Sequence, residues 1–409
     1  MDLSLTKDYQ TYRTHVRDFL KRHANKAPRG ALRARPDDAL RRWQKTLIEH
    51  GYAARTIPKQ YGGAGREPDV LKSRIIAEEF AASGMPRGIA NQGVSMLVPT
   101  LLELGSEAQR EQYIRPTLYG EMVWCQGYSE PGAGSDLASL ATAATEDGED
   151  FVINGQKIWT STAREADMMF CLVRTEPNAP KHKGISYILL RMDSPGIEVR
   201  PLKTMTGHAE FNEVFFTNVR VPKANLVAGR GEGWLVANAT LTHERGMLGD
   251  PNEAGTRLAA IIALMQDERR GNEPLMKNPV LRDRLGQLQA RVLAMHYHGL
   301  RLLTMARRKE SKGMAGLIVK LMGCELNHEL AGFAIDCLGE LGILYGSGRH
   351  LRAHGQWQHK YMFDLGMIIG GGTAQIQKNI ISERGLGMPR EPKPQSQSQS
   401  QSQSKPIPA

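Results

Sequence analysis

Apolar side chains recur at helical spacing through the first part of the chain. The segment "DDALRRWQKTLIEHGYA" places them on one face and predicts a helix that ends at Gly51. The next segment, "IPKQYGGAGREPD", is rich in proline and glycine and predicts a loop. Residues 1–120 are therefore predicted to form an N-terminal helical domain.

The pattern changes after Glu121, where apolar and polar residues begin to alternate. In "GEDFVINGQKIWTS" the pair Asn154-Gly155 lies between two alternating flanks and predicts a β-hairpin turn. Further strands are predicted in "GISYILLRM", "GIEVRPLKTM" and "FNEVFFTNVRVP". Residues 121–228 are therefore predicted to form a middle β domain.

Helical spacing returns after "GRGEGW". An apolar stripe with steps of three and four residues predicts one long helix, with the positions Leu281, Leu285, Leu288, Val292 and Met295. The segment "GLIVKLMGCELNHELAGFAIDCLGELGIL" predicts a second long helix, so residues 229–390 are predicted to form a helical bundle. The Ser/Gln repeat in residues 391–409 predicts a disordered tail. The fold class predicted is mainly α with a central β domain.

The composition supports a large globular protein. The chain has 409 residues, of which 41% are hydrophobic, which suits two or three domains. No apolar run is long enough to span a bilayer, and the N-terminal segment lacks an apolar signal core. The four cysteines are scattered without a CxxC pair, which favours a reducing cytoplasm and argues against a metal site or a disulfide framework.

The net charge of +10 does not indicate a nucleic-acid partner. Five arginines lie between Arg29 and Arg42, but aromatic residues make up only 6% of the chain and no nucleic-acid-binding motif is found. Solvated helix faces explain most of this charge. A positive surface also favours an anionic substrate such as a phosphorylated carrier.

Two glycine-rich segments are the strongest candidates for a binding site. G-x-G-x-x-G, Walker A and H-E-x-x-H motifs are absent. The segment "QGYSEPGAGSDLAS" predicts a tight exposed turn that could hold a polar ligand, although an ordinary β-turn capped by Asp136 explains the same residues. In "IIGGGTAQIQ" three glycines precede a predicted helix, which suits an anion. None of these ten side chains is acidic or basic, so any catalytic base lies elsewhere.

Trp159, in "GQKIWTSTA", allows two interpretations. It can pack in the β core, which the pattern alone favours, or it can lie against a planar cofactor ring.

Together, these segments resemble the acyl-CoA dehydrogenase family. "GYSEPGAGSD" is similar to the flavin-site signature of that family. "INGQKIWTS", "VRVPKANLVAGRGEGW" and "GGGTAQIQKNIISERGLGMPR" follow in the family's order and spacing, so the resemblance covers nearly all of residues 1–390. Tyr128 departs from the aliphatic residue usual at its position and resembles a bacterial branch that carries an aromatic residue there. The resemblance implies an acyl-CoA dehydrogenase-like fold with a β-barrel-like middle domain and FAD in a cleft beside it.

The resemblance also implies which residues bind FAD and the acyl thioester. Those implied to contact the flavin are Gln126, Tyr128, Ser129, Trp159, Ser161, Thr373 and Gln375. Those implied to lie near the substrate are Ser135, Leu241, Thr242 and Arg245. The anion expected at the glycine run is then a phosphate of FAD.

A base must remove the proton α to the thioester, and a carboxylate can do so if desolvation raises its pKa. Many members of the family place a glutamate just before a Gly-Thr pair, where this chain has Gly371. A minority, similar to isovaleryl- and long-chain-type enzymes, place it on another helix just before an arginine, where this chain has Glu244. The resemblance therefore implies Glu244 as the base and the Gly371 N–H as a donor to the enolate-like oxygen. A structural ion pair is the alternative role for Glu244.

Several neighbouring polar residues have less definite roles. His243 is interpreted as structural rather than as a proton shuttle, and Arg245 as a residue that sets the environment of Glu244. The residues His208, Glu210 and Asn212 of "GHAEFNEVFF" fit either the site or polar strand ends equally well.

The family resemblance implies an assembly as well as an activity. Many relatives use an Arg-x-x-Phe-Gly segment to hold the FAD of a neighbouring subunit, but "DERRGNEPLMKNP" offers Arg269 or Arg270 without Phe-Gly. A homotetramer or dimer of dimers reoxidised by an electron-transferring flavoprotein is expected. A subunit of a heterotetramer with shared sites, and a flavin oxidase or monooxygenase on the same fold, are the alternatives.

The acyl group is not defined by these residues. Gly370 and Gly371 replace a bulkier pair often found there, which favours branched, cyclic or steroid-side-chain acyl groups. Whether the carrier is CoA or an acyl carrier protein stays open.

Overall fold

The computed structural model describes residues 5–28, 35–245, 251–311 and 313–390, without the side chains of Arg245 and Pro251. The Ser/Gln tail predicted for residues 391–409 and the expected role of the Arg245 side chain lie outside this description. Within it, no helix is both long enough and apolar enough to cross a membrane.

The N-terminal part is helical, as predicted. Asp37 caps α2 by accepting a hydrogen bond from the Leu40 N–H, and α2 ends at Gly51, whose φ of 77° suits glycine. Ser106 and Gln109 form a capping box at the start of α5. The helices are α1 (Lys7–His23), α2 (Asp38–His50), α3 (Val70–Ser83), α4 (Val98–Leu104) and α5 (Glu107–Leu118), with a π-helical turn at Gly93–Leu97 before α4.

The middle part is a β-sheet. Its strands are β1 (Trp124–Gly127), β2 (Ala143–Asp147), β3 (Asp150–Ser161), β4 (Met168–Arg174), β5 (Ile185–Arg191), β6 (Ile197–Leu202), β7 (Phe211–Pro222) and β8 (Leu226–Val227). They pair in the order β6-β7-β3-β2-β4-β5-β8, and β1 pairs in parallel with β4. The three further strands predicted from alternation are confirmed as β5, β6 and β7.

The hairpin predicted at Asn154-Gly155 is wrong. β2 and β3 turn instead at residues 148–149, because Asp147 pairs with Asp150 across that turn. Gly155 lies inside β3, where its pairing with β7 shifts register. A Cβ at Gly155 would lie 2.6 Å from the Thr142 Oγ1 atom, so this glycine permits close packing at a β-bulge.

The C-terminal part is a helical bundle. Its elements are α6 (Gly233–Arg245), α7 (Pro251–Asp267), the two-residue strands β9 (Arg269–Arg270) and β10 (Glu273–Pro274), α8 (Pro279–Arg307), α9 (Gly313–Leu338), α10 (Gln356–Ile369) and α11 (Ala374–Ile380). The predicted apolar stripe is buried along α8. Arg257 on α7 pairs with Asp364 on α10 inside the bundle.

The overall architecture confirms the predicted fold class, with helices, a central sheet and a helical bundle in that order. α6, the first helix of the C-terminal part, packs against both of the other parts. It packs against β5, α4 and the π-helical turn Gly93–Leu97. Its residue Val236 shares an apolar cluster with Leu101 of α4 and Tyr187 of β5. The C-terminal end of α6 carries Glu244.

Candidate active site

A buried ion pair supports the glycine-rich turn that follows β1. The Lys157 side chain is fully buried, and its Nζ donates to Glu130 Oε1 at 2.7 Å and to the Tyr128 carbonyl at 3.2 Å. Glu130 also accepts from the backbone N–H groups of Ala141 and Thr142. Burial raises the pKa of Glu130, but Lys157 and these hydrogen bonds outweigh it, so the net pKa is below the ordinary value. The backbone of the turn is therefore fixed by a buried ion pair and its hydrogen bonds.

Trp159 lies beside this turn and is not part of the β core, so the core interpretation is wrong. The Ile158 N–H donates to the Ser129 carbonyl at 2.9 Å, which joins the turn to β3. Trp159 itself is 58% exposed, and its ring meets Phe211 edge to face. Its φ of 61° is unusual for a residue other than glycine. The pairing of β3 with β7 shifts register between Lys157 and Thr160, and this bulge reverses the alternation that predicted burial.

Buried polar atoms without partners surround the end of β3. The Asn212 amide donates to the Thr160 carbonyl at 2.9 Å, but Asn212 Oδ1 and Thr160 Oγ1 are buried and have no partner among the described residues. Glu210 Oε2 is in the same state. Such atoms are rare in folded proteins unless a ligand or water satisfies them. These atoms belong to residues that adjoin Trp159 in β3 or pair with that part of β3, and such unpartnered atoms are compatible with a polar ligand or water at this end of the strand.

The start of β7 faces helix α10. The Nε2 atom of His359, on α10, lies 3.9 Å from Glu210 Oε1. The His359 ring also contacts the His208 ring in a tilted arrangement. The polar residues of "GHAEFNEVFF" therefore lie between the sheet and the bundle.

The glycine run 370–372 links α10 to α11. Gly371 and Gly372 have φ values of 65° and 101°, which explains the need for glycine. Thr373 begins α11 by accepting a hydrogen bond from the Ile376 N–H. Lys320 Nζ donates to the carbonyls of Ile368 and Gly372, at 2.7 and 2.6 Å. The run is thus held at both ends by one side chain.

Glu244, near the end of α6, influences the lysine that holds this run. Burial lowers the pKa of Lys320, and the nearby Cys324, Glu244 and Glu325 act against that effect, so Glu244 lies within range of the lysine that holds the run. The charge of Glu244 also contributes to the raised pKa of Tyr128, of which burial is the main cause. The charge of Glu244 therefore reaches both Tyr128 of the glycine-rich turn and the lysine that holds the glycine run.

His243, beside Glu244, is oriented differently. Its Nε2 lies 3.0 Å from Glu103 Oε1 on α4, so it has a partner on a neighbouring helix.

The side chain of Tyr128 points into the interior, toward α6. It is 5% exposed and packs against Phe170 and Tyr187. Thr240, one turn before Glu244, contacts Thr100 at 3.0 Å and the Tyr187 hydroxyl at 3.5 Å. The Tyr128 hydroxyl lies close enough to those of Thr240 and Tyr187 to interact with them, but it makes no hydrogen bond of normal geometry with the described residues.

The other residues expected at the site are more peripheral. Leu241 packs against the apolar cluster around Tyr128, while the Thr242 hydroxyl donates to the Asn238 carbonyl of its own helix. Gln126 and Ser161 are half-buried, and Ser135 and Gln375 are exposed. Arg269 and Arg270 are exposed on the two-residue strand β9.

Two residues near the site were missed in the sequence, Lys157 and Lys320. Each is a lone lysine in an apolar stretch, "VINGQKIW" and "GLIVKLMGC". A lysine that must be buried needs hydrogen-bond partners, and this requirement is the signal that could have identified them.

Comparisons with known proteins match this arrangement. Residues 6–121, 125–219 and 231–386 match the descriptions "Acyl-CoA dehydrogenase, N-terminal domain", "middle domain" and "C-terminal domain", respectively. The chain is 37% identical over 355 residues to acyl-CoA dehydrogenase IpdE1 of Mycobacterium tuberculosis, covering 86% of this chain and 89% of that protein. This chain belongs to the acyl-CoA dehydrogenase family. The family consists of flavin-dependent oxidoreductases, and the chain is accordingly an enzyme of that class.

Solved structures agree with the family assignment. The "Tcur3481-Tcur3483 steroid ACAD" superposes with a TM-score of 0.80 at 29% identity and covers 96% of this chain and 100% of that one. The "ChsE4-ChsE5 complex from Mycobacterium tuberculosis" superposes with a TM-score of 0.78 at 28% identity, with the same coverage. Acyl-CoA dehydrogenase FadE34 of Mycobacterium tuberculosis is 34% identical over 85% of this chain and 46% of its own length.

Proposed function

We propose that this protein is an FAD-dependent acyl-CoA dehydrogenase that converts a bulky acyl-CoA into the trans-2-enoyl-CoA, with Glu244 as the base. The observation that carries the proposal is the position of Glu244. The negative charge of Glu244 favours the protonated form of Lys320, and Lys320 donates to the carbonyls of Ile368 and Gly372. A carboxylate thus lies near a glycine run whose position offers no acidic side chain of its own.

The residues present fit FAD. The exposed ring of Trp159 offers a flat surface, and the unpartnered oxygens of Thr160 and Asn212 offer acceptors at its edge. Gln126, Tyr128, Ser129, Trp159, Ser161, Thr373 and Gln375 would hold the cofactor. When bound, FAD supplies the acceptor for the β-hydrogen as a hydride.

The chain's own groups supply the rest of the chemistry. Glu244 removes the α proton, for which a half-buried carboxylate is suited because desolvation increases its basicity. The N–H of Gly371 donates to the thioester oxygen and stabilises the negative charge that develops there. Ser135, Leu241 and Thr242 would orient the thioester arm and the acyl chain. Arg245 would set the environment of Glu244.

The proposed acyl group is bulky and is exemplified by a steroid-derived side chain or ring. Gly370 and Gly371 contribute no side chains at the run, which leaves room beside the α and β carbons. The neighbour named a steroid ACAD supports this class of substrate. CoA is the proposed carrier, because the family is named for it.

A sharp test combines cofactor reduction with two glutamate variants. Purified protein is mixed anaerobically with acyl-CoAs of increasing bulk, and the loss of flavin absorbance is followed. We expect wild type to bleach, Glu244→Gln to keep its FAD without bleaching, and Glu103→Gln, whose carboxylate pairs with His243, to bleach like wild type. Bleaching of Glu244→Gln at the wild-type rate would assign the base elsewhere.

A second candidate is a subunit that shares its sites with a different chain. One structural neighbour is named as a complex of two proteins. Arg269 and Arg270 are exposed and lack the Phe-Gly that follows the arginine in many relatives. Flavin content decides between the two candidates. A chain that purifies colourless and rejects added FAD, yet becomes yellow with a co-expressed partner, supports the shared site.

A further inference from the structure

One buried lysine, Lys320, holds the backbone around the glycine run of the proposed site. Lys320 lies on α9 and is 3% exposed. Its Nζ donates to two carbonyls on a different segment, those of Ile368 and Gly372. The segment between these carbonyls contains Gly371, which therefore lies inside a loop anchored at both ends.

A second side chain anchors the same segment. Gln377 is 2% exposed, and its Nε2 donates to the Gly371 carbonyl at 3.0 Å. In a trans peptide the carbonyl and the following N–H point in opposite directions. The N–H groups of Gly372 and Thr373 must therefore point away from Gln377 and Lys320. The two peptides that follow the Gly371 α-carbon are therefore fixed in direction, and this limits where Gly371, whose N–H is the proposed donor, can lie.

Burying an ammonium group is costly, and within the described part of the chain Lys320 donates to two neutral carbonyls and to no carboxylate. A methionine would fill the same space without this cost, so packing alone does not explain the lysine. Donating to two carbonyls at once, in fixed directions, is a task that an apolar side chain cannot perform. The charges of Glu244 and Glu325 also help to retain the cation.

We propose that Lys320 is a positioning residue of the dehydrogenase, which anchors the carbonyls of Ile368 and Gly372 on either side of Gly371 and so fixes the position of the Gly371 N–H relative to the thioester oxygen. The inference rests on the proposed function. Lys320 touches neither substrate nor cofactor in this account. Its effect is exerted through the backbone of residues 369–373.

The test compares Lys320→Met with Lys360→Met in the FAD-loaded enzyme. Lys360 is a matched control, because it is a half-buried lysine on α10 that stacks on Trp357 and its pKa is likewise lowered by burial. We expect Lys320→Met to slow anaerobic flavin reduction about 100-fold, the effect of losing one well-placed oxyanion donor. The dissociation constant of the acyl-CoA and the FAD content should change little. Lys360→Met should behave as wild type.

An infrared measurement separates alignment from a general structural role. The stretching frequency of the bound thioester carbonyl falls when N–H donors polarise it. We expect this shift in wild type and Lys360→Met, and its loss in Lys320→Met. Equal shifts in all three proteins would overturn the inference even if Lys320→Met were slow.

Two further outcomes are informative. If Lys320→Met does not fold, Lys320→Gln takes its place, because an amide can donate to one of the two carbonyls. A wild-type rate of flavin reduction and a wild-type shift of the thioester carbonyl in Lys320→Gln would overturn the inference. If wild type reduces flavin with every expected acyl-CoA while Lys320→Met does so equally fast, the dehydrogenase stands and the inference fails. If wild type is reduced by none, the proposed function itself fails.

Discussion

Lys157 and Glu130 form an ion pair of 2.7 Å beneath the glycine-rich turn, with the lysine fully buried. The lysine also donates to the Tyr128 carbonyl, and the glutamate accepts from two backbone N–H groups of the segment that leads to β2. The pair therefore connects the backbone of the turn with β3 and with the segment leading to β2. A turn held in this way can present Ser129 at a constant position.

Breaking this pair should destabilise the protein and weaken cofactor binding. Lys157→Met leaves the buried carboxylate of Glu130 charged and without its partner, which costs about 3–5 kcal/mol of unfolding free energy. Urea unfolding should show this loss, and the purified variant should contain less FAD.

Lys181→Met is the control for that substitution. Lys181 pairs with Asp136 in the same turn, but both side chains are about half exposed. Its loss should cost less than about 1 kcal/mol and leave FAD bound. Equal losses in the two variants would contradict the importance of the buried pair.

The same pair predicts a pH dependence. The pKa of Glu130 is lowered from its ordinary value of 4.5, so its contribution to stability is complete above pH 4.5 and is lost as the pH falls through the lower folded value. The difference in unfolding free energy between wild type and Glu130→Gln should be largest above pH 4.5. It should narrow below that pH, as measured by urea titrations at successive pH values.

Glu149→Gln, at an exposed position in the β2–β3 turn, provides the control. Its small difference from wild type should not narrow in this way. If the difference in unfolding free energy between wild type and Glu130→Gln did not change with pH, the carboxylate charge would not be what stabilises the fold.

Regular periodicity made most of the fold predictable. The stripe of α8 follows the helix period, β6 and β7 show strand alternation, and β5 is a continuous buried run, so these elements were placed correctly. The errors occurred where one residue interrupts a period. Gly155 and Trp159 both lie at register shifts between β3 and β7, which no local alternation reveals.

The site was predictable only in part, for a related reason. Family resemblance implied that the glycine run and Glu244, which are far apart in sequence, belong to one site. It did not identify Lys320, because its role depends on carbonyls 48 and 52 residues away. Every residue has a backbone carbonyl, so the sequence does not show which carbonyls will accept a hydrogen bond from a distant side chain.

The buried hydroxyl of Tyr128 leads to an unusual stability prediction. Tyr128→Phe removes a buried hydroxyl whose interactions with Thr240 and Tyr187 fall short of normal hydrogen-bond geometry, so stability should be unchanged or higher by up to about 1 kcal/mol. Tyr113→Phe should instead cost about 1 kcal/mol, because the Tyr113 hydroxyl donates to Asn225. Thermal unfolding of both variants measures the contrast. A loss as large for Tyr128→Phe would mean that its hydroxyl is satisfied in solution.

Trp159 should matter for the cofactor more than for folding. Because its ring is 58% exposed, Trp159→Ala should lower the unfolding free energy by less than about 1 kcal/mol, whereas Trp357→Ala, at a 1% exposed position, should cost about 3–5 kcal/mol. The ratio of flavin to protein absorbance after dialysis should fall for Trp159→Ala. Retention of FAD at the wild-type level would show that the ring does not cover the cofactor.

The width of the acyl pocket can be tested at Gly370. Its φ of −60° is open to any residue, and an added Cβ would meet only the Gly366 carbonyl, at 3.3 Å. Gly370→Ala should therefore fold, yet narrow the space beside the reacting carbons. A misplaced methyl group costs about 1–3 kcal/mol of transition-state binding, so kcat/KM for a polycyclic acyl-CoA should fall about 10- to 200-fold. A straight-chain acyl-CoA should be affected much less. Gly366→Ala, where an added Cβ meets nothing within 4 Å, should leave both substrates unchanged. If Gly370→Ala slowed both substrates equally, or if wild type preferred straight medium-length chains, the absence of side chains at the run would not be what admits a bulky acyl group.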